Sequence, residues 1–130
     1  MAKIQVELNI KNNDSAQTLS TKGILKNNAI TFIDNHNQRH SVRWDNEKVY
    51  YQRTGENALE FVFEMNRIHP GYYHILTQVI VLNVKTRYIL QTNKMIEVIY
   101  DIEQDNEVIN TSHLKLSYII IEEALHDSIE

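Results

Sequence analysis

The chain contains no cysteine, one proline, three glycines and little positive charge. Without cysteine there is no disulfide framework, thiolate zinc site, redox pair or cysteine nucleophile. The glycines, Gly23, Gly55 and Gly71, lie far apart, so no glycine-rich loop can cradle a phosphate. Thirteen Lys and Arg against 17 Asp and Glu leave a net charge of −4, which argues against broad binding to nucleic-acid backbones or anionic membranes. The apolar run from Tyr118 to Ile121 is far too short to span a bilayer. Met1 to Ile10 alternates polar with apolar residues, whereas a signal peptide would be continuously apolar there. A cytoplasmic protein without a membrane partner is expected.

What is present is an ordinary globular composition. The 130 residues, 42% of them hydrophobic and 23% charged, make one domain (1–130) that should bury roughly two-thirds of its unfolded surface. The dominant hydrophobic spacing is two. Ile4, Val6, Leu8 and Ile10 alternate with polar residues, as do Leu59, Phe61 and Phe63; Ile96, Val98, Tyr100 and Ile102; and Leu114, Leu116, Tyr118 and Ile120. Each such stretch is a strand with one face buried. Shorter candidates at Lys22–Lys26, Ala29–Asp34, His40–Asp45, Lys48–Arg53 and Tyr72–Thr77, with a long stretch Val79–Thr92, bring the total to about ten.

Asn and Asp supply most of the turn chemistry, at Asn27-Asn28, Asp45-Asn46, Asn93-Lys94 and Glu103 to Asn106, because they tolerate left-handed backbone better than other side chains. Short gaps make antiparallel neighbours the natural pairing. Only Lys11–Thr21 and Glu64–Gly71, the latter holding Pro70, read as longer connections, and neither leaves room for a crossover helix. The fold expected is all-β: an antiparallel up-and-down barrel of 8 to 10 strands, since closure removes the exposed edges of an open sheet. The core should cover about 2–121. Beyond it Ile121, Leu125 and Ile129 fall four apart, so 122–130 reads equally as a short helix or a loose tail.

Three segments carry a family resemblance: Lys48-Val49-Tyr50-Tyr51-Gln52-Arg53-Thr54-Gly55, then Leu59-Glu60-Phe61, then Ile96-Glu97-Val98-Ile99-Tyr100-Asp101. In this order they resemble the YwiB-like family of small bacterial proteins of unknown function, over about Ala2 to Ile121. The resemblance implies a calycin-like, or lipocalin-like, β-barrel and brings no established activity.

Candidate chemistry rests on polar and aromatic residues that share parity with the apolar faces. Val49, Tyr51 and Arg53 fall on one face, Tyr100 and Tyr118 lie on the apolar faces of their strands, and Trp44 pairs with Val42. If they line a lumen, Arg53 could hold a carboxylate or phosphate, with Tyr51, Tyr100, Tyr118 and Trp44 as walls and hydroxyls. The bland reading makes Arg53 a cap at the barrel end, paired with a carboxylate such as Glu60, and the tyrosines core residues.

Other chemistries are weaker. His36 and His40 lie in a polar reversal rather than on one helix face, and His69, His74, His113 and His126 form no local ligand set, so no metal is expected. Asp101 to Glu107 alternates carboxylates as a calcium loop does, but lacks the sharp-turn Gly and ends with Ser112 where a Glu belongs. Adjacent Glu122 and Glu123 diverge, and no Gly-x-Ser-x-Gly elbow surrounds any serine. Arg43, Trp44, Lys48 and Tyr50 suggest a face for single-stranded nucleic acid, opposed by Asp45 and Glu47 in the same hairpin. The expectation is a non-enzymatic barrel without cofactor or nucleic acid, holding a small apolar or anionic molecule in its lumen. The alternative is a protein-interaction or homo-oligomeric assembly module.

Overall fold

The computed structural model describes residues 1–123. Ten strands follow one another: β1 (Ala2–Lys11), β2 (Ala16–Lys26), β3 (Ala29–Ile33), β4 (Arg39–Trp44), β5 (Lys48–Thr54), β6 (Leu59–Glu64), β7 (Ile68–Ile75), β8 (Gln78–Thr92), β9 (Met95–Gln104) and β10 (Glu107–Glu123). Each pairs antiparallel with the next, and β1 pairs with β10, so the meander closes into a barrel. This is the all-β architecture that the period of two implies, and it is consistent with a calycin-like fold. No helix among the described residues is long and apolar enough to cross a membrane.

The strands form where apolar residues alternate, and the turns where left-handed backbone is available. Asn27, Asp105 and Asn106 have φ of 55°, 55° and 66°; the consecutive positive pair Asp105-Asn106 suits the right-handed twist of the β9–β10 hairpin. Inward residues fill the middle of the barrel. Val6, Val42, Val49, Phe63, Val98, Leu114 and Leu116 are fully inaccessible, and the rings of Phe61, Phe63 and Tyr100 meet at 4.7 to 6.1 Å between centroids. The central lumen is therefore a packed core rather than the ligand-holding space expected, and Tyr100 is part of that packing.

Three expectations need correction. The stretch Lys11–Thr21 is no long connection: only 12–15 turn, and β2 starts at Ala16. Its first residues are mostly exposed, so they show no alternation and are held by their register against β1, from Lys11↔Ala16 to Gln5↔Lys22. In Glu64–Gly71, the strand begins at Ile68 and contains Pro70. Proline is tolerated because β7 meets β6 only at Leu59↔Tyr73 and Glu60↔Tyr72; at Pro70 the ladder runs to β8 alone, opposite Asn83, and one side needs no donor. Glu122 and Glu123, read as the start of a helix or tail, extend β10 opposite Lys3 and Ala2. The rest of that expectation, 124–130, lies outside the described residues.

Strand lengths shape the two ends. The turns 12–15, 34–38, 55–58, 76–77 and 105–106 share one end, and 27–28, 45–47, 65–67 and 93–94 the other. At the first end the short strands β3 to β6 make a low rim, overtopped on one side by the β1–β2 hairpin and on the other by β7 and β8. The barrel opens there.

Candidate functional site

The mouth begins with two inward residues on neighbouring strands. His40 on β4 stands directly opposite Arg53 on β5, because each shares parity with a buried residue of its strand, Val42 and Tyr51 respectively. Tyr51 is 3% exposed and His40 4%. The His40 ring stacks on Phe32, 4.7 Å between centroids and 6° from parallel.

Burial of a polar ring requires partners, and His40 has two. Its Nδ1 lies 2.8 Å from the Tyr51 hydroxyl and its Nε2 2.9 Å from Asp34 Oδ2. A carboxylate only accepts, so Nε2 carries the proton and the Tyr51 O–H donates to Nδ1. Asp34 in turn builds the turn 34–38: its Oδ1 accepts the N–H groups of His36 at 2.8 Å and Gln38 at 3.0 Å. The turn closes with Asn37 at φ 60°. Burial pushes the His40 pKa down and outweighs the opposing hydrogen bond and charge of Asp34, while the Arg53 charge adds to the lowering. For Asp34 burial acts upward, but the hydrogen bonds from His40, Gln38 and His36 hold it below the ordinary carboxylate value. Burial also raises the Tyr51 hydroxyl far above its usual value, with Arg53 opposing. The chain Tyr51–His40–Asp34 is thus a neutral imidazole between a phenol and a carboxylate, with every donor spent.

Arg53 is different. Its Nε donates to the Asn57 carbonyl at 2.8 Å, and it makes no ion pair among the described residues. Glu60, expected as its partner in the capping reading, instead accepts from Gln52 and approaches His74. The Arg53 guanidinium borders the mouth and also lies close enough to the Tyr51 hydroxyl to act on it. There a cavity of about 590 Å³ is lined on its polar side by Arg53, His36, Gln38 and Asn57, and on its apolar side by Leu8, Ile10, Leu19 and Tyr73. Gln38 adds a buried Oε1 without a hydrogen-bond partner.

The structure brings together only part of the set read from the sequence. Arg53 lines the mouth and Tyr51 lies just beneath it. Tyr100 is buried in the middle of the barrel, opposite Ser112. Tyr118 and Trp44 lie at the far end, where their backbone N–H groups donate to the carbonyls of Lys94 and Asn28 in the far turns; both side chains pack half-buried against the core. Arg43, considered for nucleic acid, stacks 4.0 Å above the Tyr50 ring on the outer surface. Sequence reasoning missed Asp34, His40, Gln38 and Tyr73. For His40 the signal was its parity with Val42; the others are placed by a turn and by a strand whose start was not legible.

Comparison with known proteins agrees with the fold. The crystal structure of ywiB protein from Bacillus subtilis superposes with a TM-score of 0.73 at 17% identity, covering 90% of each chain, a likeness that speaks for the fold alone. No curated protein matches the chain. The model of the family described as Domain of unknown function (DUF1934) matches residues 3–116. The chain, with its closed ten-strand barrel, belongs to the DUF1934 family.

Proposed function

We propose that this is a non-enzymatic cytoplasmic barrel that binds a small anionic molecule at its mouth, with Arg53 as the anchor. One observation carries the reading: a guanidinium with no carboxylate partner among the described residues lines a cavity of about 590 Å³. A protein that needed Arg53 only as a cap would pair it, because an unpaired cation at a half-buried site loses hydration without compensation. The planar fork of a guanidinium matches a carboxylate or phosphate. The volume lies in the range of small-molecule sites, which combine apolar walls with a few polar anchors. The one carboxylate in the wall, Asp34, has both oxygens engaged.

Thermal denaturation of wild type and Arg53→Met against inorganic phosphate, acetate and lactate tests this. Wild type should gain stability with at least one of these anions, by about 2.7 kcal/mol at a hundredfold excess over Kd. Arg53→Met should lose that gain while its own unfolding changes by no more than about 1.5 kcal/mol, the worth of one hydrogen bond. A wild type that no anion stabilises, or a gain that survives in Arg53→Met, would contradict the proposal.

A further inference from the structure

The β7–β8 hairpin does something no other part of the barrel does. From Ile68 to Val84 the chain runs without a single Asp, Glu, Lys or Arg, although 23% of all residues are charged. The outer part of that segment, 75–81, is exposed throughout. Val79 and Val81 are 54% and 56% exposed, Ile80 36%, and Leu76 at the tip 94%. Leu76 also has φ of 54°, a left-handed conformation that costs a branched side chain roughly 1 to 2 kcal/mol and that turns of this kind normally give to Gly or Asn. A residue that is both strained and fully exposed contributes nothing to the monomer's core.

The backbone there is equally unpartnered. β8 pairs with β7 from Gln78 onward, but its ladder to β9 begins only at Asn83↔Glu103. Among the described residues, Gln78 to Leu82 therefore present a free edge, with no charge, proline or bulge to block it. Natural proteins guard such edges because they accept another strand.

We infer that this edge pairs with the same edge of a second copy of the chain. The sequence Gln78-Val79-Ile80-Val81-Leu82 is self-complementary about a two-fold axis through Ile80. Antiparallel pairing sets Ile80 opposite Ile80, Val79 opposite Val81, and Gln78 opposite Leu82, so that apolar residues meet on both faces of the joint sheet. Charge points to the same occupant. Two molecules of net charge −4 repel through most surfaces, and this neutral arm lets them approach without bringing like charges together. The exposed parts of Tyr72, Leu76, Val79, Ile80 and Val81 supply the apolar surface that such a contact covers. An isologous contact uses both edges and closes at two. The pairing uses the outer edge of β8 and none of the mouth's polar residues, although Ile80 stands opposite the wall residue Tyr73; dimer mass and ligand binding are read separately.

Light scattering after size exclusion should give wild type a mass twice 15.3 kDa, and Val79→Lys or Val81→Lys the monomer mass with an unchanged far-ultraviolet spectrum. A second readout uses the absence of cysteine. Directly opposed residues of an antiparallel pair lie about 4.5 to 5.5 Å apart between Cα atoms, within the range a disulfide bridges. Ile80→Cys should therefore oxidise to a covalent dimer, whereas Val108→Cys, on the exposed β9–β10 hairpin, should not. A concentration-independent monomer overturns the inference. So does a dimer that persists in Val81→Lys, or equal cross-linking through Val108→Cys. Flotation of a monomeric wild type with phosphatidylcholine vesicles, lost in Val81→Lys, would assign the arm to a lipid surface instead.

Discussion

At the residue scale, the mouth shows how one buried imidazole fixes the roles of its neighbours. His40 accepts from Tyr51 and donates to Asp34, which leaves Arg53 as the group with donors to spare. Tyr51→Phe should cost about 1 to 3 kcal/mol in urea denaturation, since it strands the buried Nδ1 without a donor. Acid should act on the same chain. The His40 pKa is lower folded than unfolded, so below about pH 6.5, the unfolded value, the unfolded state takes up a proton that the native state refuses, and stability falls as pH falls. Asp34, also depressed, adds a loss at pH below its unfolded value, where the unfolded carboxyl protonates first. Unfolding free energy followed from pH 8 to 5 should decline in wild type and decline less in His40→Gln; equal slopes would mean that His40 titrates as it does in the unfolded chain. Of this site, Tyr51 and Arg53 were legible from strand parity alone. Asp34 was not, because a five-residue turn returns it to His40, and turn geometry at that length is written in side-chain hydrogen bonds rather than in hydrophobic spacing.

At the element scale, the strands legible in the sequence are those with one wet and one dry face, such as β1, β6 and β9. β2 escaped for half its length because both its faces there are largely exposed, and the start of β7 because a proline implies a loop unless one ladder is missing. The same locality explains Gly71. A Cβ at that position would lie 2.6 Å from the Phe61 ring and 2.8 Å from a Val84 methyl, so Phe61 fills the space where β6 and β7 stop pairing. Gly71→Ala should destabilise the fold by about 1 to 3 kcal/mol, read as a lower denaturant midpoint. Leu76→Asn should do the opposite, by up to about 1 kcal/mol, because Asn accepts the left-handed turn more readily. That comparison belongs in the Val81→Lys background, where association does not enter.

At the scale of the whole molecule, unequal strand lengths divide the work. A packed middle holds the barrel closed, while long strands overtopping a low rim leave a polar and apolar mouth around Arg53. The composition announced the barrel through its period, but the opening depends on where neighbouring strands stop relative to one another, and alternation carries no record of that offset. Two-dimensional ¹H–¹⁵N spectra of the full chain, titrated with lactate and with phosphate, test the central claim most directly. The account predicts saturable shifts in the Arg53 Nε–H and in the backbone of 34–38, 53–57 and Tyr73, absent in Arg53→Met. Shifts that do not saturate, that scatter over the surface, or that persist in Arg53→Met would contradict it.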